Sequence, residues 1–164
     1  MPQDKTLDDL FLDTLKDIYY AERQIVRALP KMSKAAQDPQ LKAAFDEHAQ
    51  QSEGHIDRLE QVFELLGKPA RGKTCEAILG IIEEGKQIMD EFKGAPALDA
   101  GLISAAQAVE HYEMARYGTL RAWAKLMGKR DIAALLDATY NEESETDKKL
   151  SQLAVAGENA KAAA

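Results

Sequence analysis

Apolar residues recur every three or four positions along four long segments of this chain, and turns rich in glycine and proline separate most of those segments. Leu7, Phe11, Leu15, Ile18, Ile25 and Leu29 form the first stripe, which ends at QDPQ (37–40); GKPARGK (67–73) ends the second, and Gly128 divides the last two. At 3.6 residues per turn this spacing lines up one helix face, whereas a half-buried strand would alternate. A stripe sustained over many turns must be buried along its whole length, so it restricts the chain to helices packed lengthwise.

The pattern predicts helix A from Thr6 or Leu7 to the turn at 37–40 and helix B over 39–66. A shorter helix is expected over 73–92, helix C over 96–127 and helix D over 131–155. Pro30 is expected to kink helix A near its end, and the tail AGENAKAAA, which has no apolar stripe, to fray. The order is hairpin, crossing segment, hairpin. That is an all-α four-helix bundle with a short extra helix in its long connection between B and C. With 164 residues, 45% of them hydrophobic, the chain suits one compact domain over 1–164.

A net charge of −7 argues against nucleic acid or anionic lipid as partners, because both are held first by cationic side chains. No apolar run approaches the roughly 18 residues that cross a bilayer. Cys75 is the sole cysteine, so neither a disulfide framework nor a cysteine-rich metal site is available. Together with an N-terminus, MPQDKTLDD, that lacks an apolar signal region, this leads to the expectation of a cytoplasmic protein.

The stripes are interrupted by polar residues. Glu22 breaks the apolar face of helix A; His48, Ser52 or Gln51, and His55 break that of B. Glu110 and Glu113, in VEHYE, lie on or beside the face of C, and Glu143, in NEESETD, on that of D. In an antiparallel hairpin, residues equally far from the turn lie at one height, since each residue rises about 1.5 Å. Counting from the turn near 37, Glu22 is level with about residue 52; from the turn near 128, Glu110 and Glu113 are level with about 146 and 143. Each hairpin therefore carries its polar intrusions near mid-helix.

Burying one carboxylate costs several kcal/mol, and several together repel unless protons, arginines or a metal offset them. Divalent cations suit carboxylates offered by four helices. Glu22, Glu110, Glu113 and Glu143 are the candidate metal ligands, against the alternative of rim carboxylates such as Glu22 paired with Arg23 or Arg27. His48 and His55, two turns apart on one face, are candidate ligands or partners of ligands; Asp147, Glu142 and His111 are weaker candidates. The tyrosines 19, 20, 112, 117 and 140 gather near the same level, where one beside a metal pair would donate a hydrogen bond or an electron.

YYAERQ, HAQQSEGHIDRLEQVFELLG, AAQAVEHYEMARYGTL and NEESETD together resemble the YciE/YciF family of ferritin-like bacterial proteins associated with stress responses, from about Leu7 to Leu153. The resemblance implies a ferritin-like or rubrerythrin-like bundle, usually dimeric, with a di-iron or di-manganese carboxylate site. In that pattern Glu22, Glu110, Glu113 and Glu143 match ligands on helices A, C, C and D. A centre of that kind is expected to show oxidase, ferroxidase or peroxide-consuming activity, with an external electron donor because the chain has no cysteine-rich iron site; the alternative, supported by the departures on helix B, is a non-catalytic structural or interaction protein around a degenerate site. The chain departs from the pattern on helix B, where Gln51 stands in the place of a family glutamate. The histidines three residues after the acids on B and D are replaced by Gly54 and Thr146, leaving His48, His55 and Asp147 as stand-ins.

Overall fold

The computed structural model describes residues 4–164, and among these all regular secondary structure is helical, without strands. Helix α1 (Leu7–Ala35) starts at a reciprocal cap: the Thr6 hydroxyl accepts from the Asp9 amide, and Asp9 accepts from the Thr6 amide. The helix runs through Pro30 to Ala35. Asp38 then caps α2 (Pro39–Leu65), with Pro39 in its first turn, where a missing N–H costs nothing. Gly67 and Gly128, at φ +64° and +72°, take the left-handed conformation that ends α2 and the fourth helix.

The crossing segment carries α3 (Glu76–Glu91), capped by Cys75, whose sulfur accepts from the Ile78 amide. Two long helices follow, α4 (Leu98–Leu126) and α5 (Arg130–Leu153). Around the bundle, α1 packs on α2, α2 on α5, α5 on α4 and α4 on α1, while α3 lies outside against α1 and α4. The approach of α3 to α4 depends on small residues: a Cβ on Gly101 would stand 2.7 Å from Ile88 Cγ2. This is a ferritin-like arrangement of two antiparallel hairpins joined by a long crossover.

A tie unforeseen in the sequence fixes one end of the bundle. Asp99, at the start of α4, accepts hydrogen bonds from the amides of Gln37 and Asp38 at 2.8 and 2.7 Å. It thereby locks the α1–α2 turn to the second hairpin. The C-terminal tail also corrects expectation. It continues as a π-helical turn, Ala154–Glu158, and a last helix α6, Asn159–Ala163. Without an apolar stripe it is held by other means: Ala154 and Glu158 are buried, and Lys161 bridges Glu158 and Asp38. Among the described residues, no helix is long and apolar enough to cross a membrane.

Candidate metal centre

Four helices each turn one or two acids or imidazoles into the middle of the bundle. On α1 the buried face runs Phe11, Leu15, Ile18, Glu22, Ile25, Leu29, so Glu22 occupies a core position by register alone. On α2 it runs Leu41, Phe45, His48, Ser52, His55, Leu59, Val62. On α4 it includes Leu102, Ala106, Val109, Glu110, Glu113 and Tyr117, and on α5 Leu136, Thr139, Glu143 and Leu150. The six residues Glu22, His48, His55, Glu110, Glu113 and Glu143 are at most 2% exposed. No arginine or lysine stands among them to neutralise the acids.

Their atoms form two overlapping sets. Glu22, His55, Glu113 and Glu143 offer one ligand atom each within 4.8 Å of one another, and so do His48, Glu110, Glu113 and Glu143. Each set has its own glutamate and histidine; Glu113 and Glu143 belong to both. His48 Nε2 lies 2.9 Å from Glu110 and 3.7 Å from Glu143, and His55 Nδ1 lies 2.8 Å from Glu143 and 3.3 Å from Glu22. Yet these nitrogens, with both oxygens of Glu113 and of Glu143, lack an aligned hydrogen-bond partner. Atoms brought this close without being aligned for hydrogen bonds converge on a common point instead. Buried acceptors left in that state are costly, and a cation satisfies them all at once. Four carboxylates also balance the charge of two divalent ions. The residues present therefore fit a metal, and the buried glutamates and histidines could hold one.

An outer layer aims the ligands. His55 turns Nε2 to Glu142 at 2.8 Å, which leaves Nδ1 facing the cluster, and Arg58 grips the same carboxylate with two hydrogen bonds of 2.7 and 2.8 Å. Such a carboxylate fixes the ring and its tautomer. The Tyr117 hydroxyl, fully buried, donates to Glu22 Oε1 at 2.6 Å.

Without an ion the cluster keeps protons. Burial pushes Glu110 up to about 7, with Glu22 and Asp147 adding to the rise against the opposing pull of Glu143 and His55. Burial and mutual repulsion hold Glu113 and Glu143 well above the usual carboxylate range. Burial works against a charge on His55, but Glu22 and Glu143 overcome it and raise the imidazole to about 11. Burial opposes ionisation of Glu22 as well; contacts with His55 outweigh it and bring its carboxyl below the usual value. Metal binding here would displace protons.

Two candidates stand outside the cluster. Gln51 is one position off the α2 stripe, where Ser52 faces in, and its side-chain oxygen accepts from Thr146 at 3.3 Å. Asp147 sits at the α4–α5 seam and meets His111 at 3.1 Å and Gln107 at 3.3 Å. Each is about 100° around its helix from the residue beside it that points nearer the centre. Glu142 faces out to Arg58 for the same reason. Arg58 was unassigned by sequence, where its i,i+3 pairing with His55 was the available signal; Tyr117 was one of five tyrosines placed near this level, and the structure singles it out as the donor to Glu22.

Comparisons with known proteins follow this geometry. A family model described as "Domain of unknown function (DUF892)" matches residues 6–163. The Escherichia coli K12 protein YciF is 42% identical over 159 residues, 96% of each chain. Its crystal structure, described as that of a stress protein, superposes with a TM-score of 0.89, at 41% identity over 93% of this chain and 96% of that one. A Rhodopseudomonas palustris structure described as "YcfI, a putative structural protein" gives 0.88, at 44% identity over 92% and 97%. A Xanthomonas campestris structure at 19% identity, with a TM-score of 0.74 over 94% of each chain, shares the fold.

Proposed function

This chain belongs to the DUF892 family, and from that premise we propose that its buried cluster is a carboxylate-bridged centre for two divalent ions, iron or manganese, acting on oxygen or peroxide in a stress response. The observation that carries the reading is the sharing of Glu113 and Glu143 between two otherwise separate ligand sets. A single-ion site has no use for the second glutamate and histidine. The stress-protein description of the Escherichia coli relative supports the physiological setting.

Iron or manganese, when bound, supplies redox electrons and open coordination positions to an oxidant. The chain does the rest. Glu113 and Glu143 come from helices that pack directly against each other, so the bundle fixes the spacing of the two carboxylates that both ions would share. Arg58 and Glu142 hold the His55 ring, and Tyr117 holds one oxygen of Glu22 while leaving the other free. Burial of all six side chains excludes bulk water, which strengthens each electrostatic contact. Turnover would draw on an external electron donor, because a chain with one cysteine has no cysteine-rich iron site to deliver electrons. A homodimer in the cytoplasm, without nucleic acid or membrane partners, completes the reading.

A second reading, favoured by the closed burial of the cluster and by the description of the Rhodopseudomonas relative, is a structural protein that keeps the bundle without turnover. Elemental analysis of protein from iron- and manganese-replete cells separates the two. We expect two ions per chain in the wild type, one in His48→Ala, and none in Glu113→Ala. Background metal in all three would leave only the structural reading.

A further inference from the structure

Beside the cluster, between α1, α3 and α4, lies a cavity of about 210 Å³. Its walls are aliphatic: Ile25 and Leu29 from α1, Leu79, Ile82 and Met89 from α3, and Val109 from α4. At its inner end is Glu110, 1% exposed, with Oε2 buried and unpartnered. The other charged residues of the lining are all cations and all exposed: Arg27 and Lys31, one turn apart on α1, and Lys86 on α3. None of the three forms an ion pair among the described residues. In a chain of net charge −7, a pocket whose mouth is framed only by cations is an exception to the surface as a whole.

We infer that this pocket binds a free medium-chain carboxylic acid, its carboxylate held between Arg27, Lys31 and Lys86 and its chain directed inward to Glu110. Apolar walls with a few convergent charges are the usual make-up of a small-molecule site. The lining suits one apolar chain and one anionic head. A cavity of roughly 150 Å³ takes the six carbons of benzene, so this one has room for about eight. The inference rests on the metal reading for its consequence: the inner end of the chain is the part presented to the centre, beside a residue that belongs to only one of the two ligand sets. It names a substrate class for that site, on the α4 side of the bundle.

The test is calorimetric titration of the metal-free protein with octanoate, and with octyltrimethylammonium as the cationic match. Saturable binding of octanoate alone is expected, weakened about tenfold when the three rim charges are removed together in Arg27→Gln/Lys31→Gln/Lys86→Gln. These positions are exposed, so the variant keeps its fold. Ala28→Phe, which fills the cavity without touching the acid cluster, should abolish binding. Equal binding of both amphiphiles, no effect of either variant, binding only to anionic phospholipid vesicles, or a dimer that buries the pocket and blocks octanoate would each overturn the inference. In protein loaded with cobalt(II), octanoate should shift the visible absorption bands. Octanoate binding to a protein that takes no metal would refute the proposed metal centre and leave the pocket standing, whereas metal loading without octanoate binding would refute the pocket alone.

Discussion

Stability of the metal-free protein should fall as pH rises through the acidic range, the reverse of ordinary acid denaturation. Glu110 is the perturbation that gives a magnitude. Its carboxyl titrates near 4.5 when unfolded and is pushed up to about 7 in the fold, chiefly by burial. Below 4.5 both states are protonated and the group contributes no penalty. Above that, the unfolded chain ionises first, and the folded state loses ground until pH passes about 7. At 1.36 kcal/mol per unit the penalty reaches about 3 kcal/mol. Glu113 and Glu143, held higher still, act in the same direction. His55, raised to about 11, contributes stability that is full below about 6.5 and is lost only as pH climbs toward 11, so it does not reverse the trend between pH 4.5 and 6.5. Glu22, whose carboxyl is lowered, contributes stability above 4.5 that is lost as pH falls below it. Urea unfolding of metal-free protein from pH 4.5 to 7.5, beside Glu110→Gln, reads this directly. The variant should match the wild type at pH 4.5 and exceed it by about 3 kcal/mol at pH 7.5. A wild-type stability that rises over this range, or a Glu110→Gln difference independent of pH, would refute the reasoning.

Other outcomes follow from the outer layer and the scaffold. Glu142→Ala should weaken metal affinity about 10- to 100-fold in a competition assay with a chromogenic chelator, while leaving the fold intact, because it removes the acceptor that holds the His55 ring. Tyr117→Phe removes the buried hydroxyl that donates to Glu22, and should cost about 1.5–3 kcal/mol in urea unfolding. Asp99→Ala leaves the amides of Gln37 and Asp38 without their acceptor; a loss of about 2–3 kcal/mol is expected, with faster hydrogen exchange at those two amides.

Helical periodicity carries much of this protein in its sequence. A 3–4 spacing and a fixed rise per residue turn residue number into angle and height, so Glu22 and Glu143 could be placed on inward faces, Glu22 level with about residue 52 in its own hairpin and Glu143 level with Glu113 in the other, before any packing was known. The same arithmetic put Glu110 and Glu113 opposite the middle of α5. The chain departs from the resemblance on α2, yet His48 and His55 were visible there as two imidazoles on one apolar stripe.

Neighbouring positions are where that arithmetic runs out. Gln51 or Ser52, Glu142 or Glu143, and Thr146 or Asp147 differ by one step of about 100°, comparable to the width of the buried face. Which member of each pair points inward depends on how each helix is rotated against its neighbours, and side-chain packing across the bundle sets that rotation. The structure chose Ser52 and Glu143 and gave Glu142 to Arg58. It alone brought His48 and His55 onto opposite ends of one carboxylate pair, fastened the α1–α2 turn to Asp99, and ordered a tail with no stripe through Glu158 and Lys161. Those contacts join residues far apart in the chain, and only packing determines which of them meet.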